Sequence, residues 1–390
     1  MTDMQRRFGT PAIVVGGGLN GLGVVRSLGR AGVPVIVADS DAKAPGMRSR
    51  YARALRYDAD TADGLSTALN SVARDKNQDR PVLILTTEKA VAFVTREYYQ
   101  LEKMFHMTLS PPAAVQACTH KSTVMEIAQA AGLAHPRTVA VRQTADIEAI
   151  KSLRPPLIVK PAYHDSGYSK IFRKAYCVPD RESTITLVER MLPTLADIIV
   201  QEWIPGADSD IYFCLQYRPR GSGQPVSFVG RKLRSWPPRT GGTASCMAAP
   251  EAETVIDSTN DFFAKAGISG LVSMEYKRDS SDGRYMVVEP TVGRTDFQEE
   301  IATLNGVNIP LAAYCDSLGL ELPKSTTPSP RIWRERISDS RSAADPLAES
   351  VDQPPGISAT DALYRWHDPA PGIFTFIDRV HNWTGRSRGG

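Results

Sequence analysis

Cysteine is scarce and carries no pattern: Cys118, Cys177, Cys214, Cys246 and Cys315 are odd in number, scattered, and form no C-x-x-C pair. That excludes a disulfide framework and a cysteine zinc site, and leaves reduced, buried thiols as the expectation. No run of 18 apolar residues occurs, so no membrane-spanning helix is written here. The stretch from Met1 to Thr10 is polar, carries Arg6 and Arg7, and leads into no apolar segment of the secretory kind, so a cytoplasmic protein is expected. Neither sign of charge dominates. Lys plus Arg number 46 against 43 Asp plus Glu, and the resulting +3 is too small to build the field of a dedicated nucleic-acid binder. Hydrophobic residues at 42% and charged residues at 23% are ordinary globular values, which excludes a disordered or fibrous chain. A length of 390 residues predicts two or three packed domains.

The first hundred residues alternate apolar runs with amphipathic stretches, the pattern of a parallel sheet covered by helices. Strands are predicted at Ala12 to Val15, Val35 to Ala38 and Val82 to Leu85, and helices at Gly21 to Ala31 and Ala90 to Met104. Beyond Pro111 come a helix from Ser122 to Ala131, stopped at Gly132, and an extended run from Arg137 to Val141. Further strands are predicted at Leu157 to Val159, Ile198 to Glu202, Ile211 to Gln216, Ser227 to Gly230, Leu271 to Tyr276 and Tyr285 to Glu289. Helices are placed near Thr184 to Met191 and Glu251 to Ala266. Such runs of strands suggest a mixed or antiparallel sheet. From about residue 322 the chain is rich in Pro, Ser, Asp and Arg with weak periodicity, which reads as an extended wrap or a partly disordered tail.

Gly16 to Gly21 reads G-x-G-x-x-G between a strand and a helix, and Asp39 ends the next strand. Such a turn brings backbone and free helix N–H groups up to an anion, either the pyrophosphate of NAD or FAD or a substrate carboxylate. Tight turns also need glycine with no ligand present. Lys160 ends an apolar run, where an ammonium is costly to bury unless an anion meets it, making it a phosphate-ligand candidate. The small polar loop from Ala162 to Lys170, with Ser166 and Gly167 at its centre, suits phosphate oxygens. Glu88 follows a strand at the mouth of the first sheet, where it contacts an amine substrate or starts a helix. Glu275 lies in one late strand and Glu289 ends the next. Arg231, Lys232 and Arg234 form a charge run that either serves a site or guards a sheet edge.

The order of these features, from residue 12 to 320, resembles the ATP-grasp superfamily, specifically its carboxylate–amine ligases of the D-aspartate ligase type. The resemblance implies an α/β fold: a Rossmann-like domain over 1–110, a small central α+β lid over 111–197, a C-terminal mixed-sheet domain over 198–322, and an irregular extension over 323–390. It implies that Lys121 and Lys160 hold ATP phosphates and that the hinge Gln201, Glu202, Trp203 and Ile204 meets adenine. Asp208 or Asp210 approaches the ribose, while Glu275 and Glu289 bind magnesium, or manganese in its place. The family often has Asn two residues after the second Glu; here Thr291 stands there. His120 replaces the Asp that commonly precedes the lysine. Lys232, Arg234 and Arg294 are implied as the catalytic cations, with Arg231, Glu88, Gly18 and Asn20 toward the substrates, a carboxylate and an amine. A homodimer stays open. Rival readings are an NAD- or FAD-binding oxidoreductase and a catalytically silent nucleotide-binding protein.

Overall fold

The computed structural model describes residues 8–59, 61, 63–73, 79–162, 171–173, 175–349, 351 and 353–386. Three sheets organise them. The first is all parallel and comprises β1 (Ala12–Val15), β2 (Val35–Asp39), β3 (Ala52–Arg56), β4 (Val82–Leu85) and β5 (His106–Met107), in the order β3-β2-β1-β4-β5. β1 and β4 are apolar and buried at every position because helices cover both faces. The edge strand β3, Ala-Arg-Ala-Leu-Arg, and the two-residue β5 carry no apolar run, which is why sequence reading passes over both. Strand order reverses between β1 and β4, so their carboxyl ends open a crevice. The helix expected from Ala90 to Met104 is two, Glu88–Arg96 and Tyr98–Leu101, parted at Glu97; the Thr87 hydroxyl caps the first by accepting from Ala90 N–H at 3.2 Å.

The second sheet joins β6 (Thr138–Val141), β7 (Leu157–Pro161), β8 (Tyr176–Val178) and β9 (Ile198–Glu202) in the order β6-β9-β7-β8. Its core is its own, built from Val141, Ile150, Leu157, Val188, Met191 and Val200 among others. β9 sits inside this sheet, which corrects the reading that opens the next segment at residue 198. The run Ile198 to Val200 is buried throughout and finds its cover between β6 and β7.

The third sheet holds β10 (Ile211–Arg218), β11 (Val226–Trp236), β12 (Gly242–Ala248), β13 (Gly270–Arg278), β14 (Tyr285–Val292), β15 (Arg331–Arg334) and β16 (Ser358–Asp361), in the order β14-β13-β10-β11-β12-β15-β16. All neighbours are antiparallel except β15 and β16. The segment after 322 is therefore not irregular. It contributes two strands and the helices Arg336–Ala343 and Ala370–Arg386, and Trp333 on β15 is only 1% exposed. Its strands are four residues long and separated by polar linkers, too short to show a period. Among the described residues, no helix is long and apolar enough to cross a membrane.

Candidate functional site

Glu275 on β13 and Glu289 on β14 are direct cross-strand partners, as are Ser273 and Thr291 two residues away. Side chains alternate along a strand, so all four share one face. Lys232 reaches this face from β11 and sets its Nζ 2.7 Å from Glu275 Oε2, although the residue is only 3% exposed. Lys121, the first residue of the helix Lys121–Ala130, brings Nζ to 3.5 Å from Glu289 Oε1. Burial alone would lower the Lys232 pKa, but Glu275, Asp296 and Asp208 together outweigh it and raise it. Lys232 therefore stays an ammonium at any ordinary pH. Asp296 borders the cluster and accepts from Ser273 Oγ at 3.2 Å and Gln298 Nε2 at 3.1 Å. Sequence reading missed Ser273 and Asp296, though the alternation through Ser273 and Glu275 was there to find the first.

Two expected cations leave this face. Arg231 pairs across the ladder with Tyr212 and Met247, so it points opposite to Lys232. A bulge at Leu233 then puts Lys232 opposite Cys246 and Arg234 opposite Ser245, consecutive residues of β12 that point opposite ways. Arg234 consequently joins the Arg231 face, where its Nη1 lies 3.2 Å from Asp339 Oδ1 on the helix Arg336–Ala343. Of the charge run, Lys232 alone meets Glu275.

At the β1–β4 crevice, Arg294 Nη2 lies 3.2 Å from Glu88 Oε1, and Glu88 is 61% exposed. Thr295 docks the third sheet onto this mouth by donating its N–H to Leu85 O at 3.1 Å. Asn20 is not open to a ligand. Its Nδ2 donates to Thr86 O and Thr295 O, both at 2.9 Å, and its Oδ1 accepts from Thr295 Oγ1 at 2.8 Å. Gly18 is exposed and N-caps the helix Leu19–Arg30. Asp39 accepts from Gly17 N–H, and Gly46 N–H donates to Gly17 O at 2.6 Å. The turn Pro45–Arg48 thus lies against the glycine loop, on backbone that the dinucleotide reading needs open.

On the nucleotide side, Lys160 is half-buried on β7 opposite Ile199. Gln201 is buried, its Nε2 donating to Thr138 Oγ1 at 2.8 Å, so its side chain serves the sheet. The Glu202 carboxylate receives Arg154 N–H at 3.0 Å and Arg154 Nη2 at 3.2 Å. Trp203 N–H donates to Pro156 O at 2.9 Å, and Ile204 follows it. Asp208, expected near a ribose, instead accepts Ser235 N–H and Arg239 N–H, each at 3.0 Å, one on either oxygen. Asp210 is held by Arg278 Nη2 at 2.9 Å and by Ala207 N–H at 2.9 Å. Lys277, another residue sequence reading missed, donates to Gly206 O at 2.8 Å and Ala207 O at 2.6 Å and fixes this turn. Its burial lowers its pKa against the pull of Asp208, Asp210 and Glu349. Ser166 and Gly167 lie outside the described residues.

Solved structures share this architecture. N5-carboxyaminoimidazole synthetase from Staphylococcus aureus, complexed with ADP, matches with a TM-score of 0.64 at 17% identity over 83% of this chain and 82% of that chain. The chain has the ATP-grasp fold. Phosphoribosylamine–glycine ligase from Thermotoga maritima gives a TM-score of 0.61 at 12% identity over 83% and 79% of the two chains. L-amino acid ligase from Bacillus licheniformis gives 0.58 at 16% over 78% and 73%. No protein-family model and no curated protein matches the sequence. In ATP-grasp terms, the glutamate pair lies on the large C-terminal sheet, with the four-stranded unit before it in sequence and the Rossmann-like sheet at its flank.

Proposed function

We propose that this chain is an ATP-dependent ligase that joins a carboxylate to an amine, using an amino acid or a small amino-acid-containing acceptor. The observation that carries the reading is the pair Glu275 and Glu289, opposed across two strands and each met by a lysine, within an ATP-grasp fold. The ADP held by one similar structure and the ligase names of two others support it.

In the proposed reaction a carboxylate oxygen attacks the γ-phosphorus of ATP and the bond to ADP breaks. The amine then attacks the acyl carbon, phosphate leaves, and the amine nitrogen loses its proton. Attack by an anion on an anionic phosphoryl group needs converging cations, and one unit pair at 4 Å is worth about 4 kcal/mol at an effective dielectric near 20. Lys232 and Lys121 supply two fixed positive charges here. The adjacent hard oxygens of Glu275 and Glu289 fit Mg²⁺ or Mn²⁺, with Thr291 on the same face as a neutral oxygen donor. Bound there, the metal would neutralise charge between the phosphates. Arg294 beside Glu88 offers a cation and a carboxylate at the crevice mouth, suited to the two ends of an amino acid.

The test is ADP release from Mg·ATP across paired amino acids, with Glu289→Gln as the variant. Release should require a substrate pair. Glu289→Gln should fold normally and lose at least about a hundredfold in kcat, as when a transition-state stabiliser is removed. Near wild-type turnover in that variant, or a thermal shift with NAD but none with Mg·ATP, overturns the reading.

A further inference from the structure

Building on the ligase reading, we infer that His120 is a positioning residue that ties the two phosphate-side lysines, Lys121 and Lys160, into one frame through Asp197. His120 caps the helix Lys121–Ala130. Its Nδ1 accepts the Ser122 N–H at 3.3 Å and lies 2.6 Å from Ser122 Oγ. A backbone N–H can only donate, so Nδ1 is the acceptor, the Ser122 hydroxyl donates to it as well, and the ring proton is assigned to Nε2. Nε2 in turn lies 3.3 Å from Asp197 Oδ2.

Asp197 is a fixed post. Its side chain is 7% exposed, Oδ2 also meets Arg142 Nε at 3.0 Å, and Oδ1 is buried with no hydrogen-bond partner among the described residues. Its backbone carbonyl accepts Ala162 N–H at 3.1 Å, two residues beyond Lys160 on the same chain segment. The path therefore runs from the backbone beside Lys121, through the imidazole and the carboxylate, to the end of β7. It joins the first turn of the helix that meets Glu289 to the sheet that carries Lys160. An aspartate at position 120 would cap the helix equally well but would set a second carboxylate against Asp197. A histidine caps with one nitrogen and donates with the other, and that separation of roles is what this site requires.

The experiment measures Mg·ATP dissociation constants, kcat and melting temperature for the full chain. His120→Ala should weaken Mg·ATP binding about tenfold, with kcat at saturating ATP within about twofold and an unfolding midpoint close to that of wild type. His120→Asn, whose amide offers both an acceptor and a donor, should recover most of the affinity. His120→Asp should bind ATP as poorly as the alanine variant, and adding Asp197→Asn should restore it, whereas Asp197→Asn alone should not tighten binding. Equal affinity in wild type and His120→Ala, full binding by His120→Asp, or no rescue by the double change each overturns the inference. A wild-type protein that binds no Mg·ATP instead overturns the ligase reading and this inference with it.

Discussion

Glu299 shows how far the surroundings set the state of a single side chain. It is 2% exposed, and burial, with the charge of neighbouring Glu300 second, pushes its carboxyl up to about 8. Glu300 itself is paired, with Arg365 Nη2 2.8 Å from its Oε2, whereas neither Glu299 oxygen has a hydrogen-bond partner among the described residues. At neutral pH the native chain thus holds a proton on Glu299 that the unfolded chain gives up. The stability this group contributes is complete below the ordinary carboxyl value near 4.5, declines as pH rises toward 8, and is level above it. Glu299→Gln cannot ionise, so its stability relative to wild type should grow by about 1.4 kcal/mol per pH unit between pH 5 and 8 and then stop growing. Urea unfolding of both proteins across that range measures the difference. A flat difference would mean that Glu299 is ionised and solvated in the native state. That Glu275 and Glu289 lie in neighbouring strands could be read from the sequence, because each lies in or ends a predicted strand run. The separate fates of Lys232 and Arg234 could not, because a one-residue bulge decides them and leaves no mark on composition.

At the scale of elements, one of the contacts that join the first and third sheets is a close backbone approach at Gly270. Gly270 opens β13 at φ 88°, Leu109 bridges to it, and Leu271 N–H donates to Thr108 O at 2.8 Å. A Cβ at Gly270 would stand 2.2 Å from that Thr108 oxygen, whereas one at Gly132, with φ 70°, would meet nothing within 4 Å. Gly270→Ala should therefore cost roughly 2 kcal/mol or more, and Gly132→Ala about 1 kcal/mol, from backbone strain alone. Unfolding midpoints compare the two, and equal losses would show that the Thr108 contact yields freely. Strands covered on both faces, such as β1, β4 and β9, are legible because burial forces continuous apolar runs. β3, β5, β8 and β12 are not, since edge position, brevity or small polar residues such as Thr243 and Ser245 erase the pattern.

Across the whole molecule, the two larger cores both run between the Rossmann-like sheet and the seven-stranded sheet, whereas the third core is confined to the four-stranded unit. The chain beyond residue 322 locks the first two together. Arg26, on the helix Leu19–Arg30, is 1% exposed and meets Asp368 Oδ2 at 3.0 Å, while donating to Ala362 O at 2.7 Å and Leu363 O at 3.0 Å. Asp368 also accepts from Ser49 Oγ at 2.8 Å and Arg50 N–H at 2.9 Å. Desolvation lowers the Arg26 pKa, the expected response of a cation taken out of water. A pair of this kind matters less for the energy it adds than for what remains when half of it is removed. Asp368→Ala strands a buried guanidinium and should cost about 3–5 kcal/mol, while replacing both partners with Arg26→Met and Asp368→Leu should recover much of that loss. Because the contacts of this pair are to Ser49, Arg50, Ala362 and Leu363 and not to Glu275 or Glu289, Mg·ATP affinity in the fraction still folded should stay unchanged. Urea unfolding of the single and double variants, followed by nucleotide titration, reads both quantities. A single-variant loss of about 1 kcal/mol or less, the range of an exposed ion pair, would mean that the tail lies on the Rossmann-like layer without holding it.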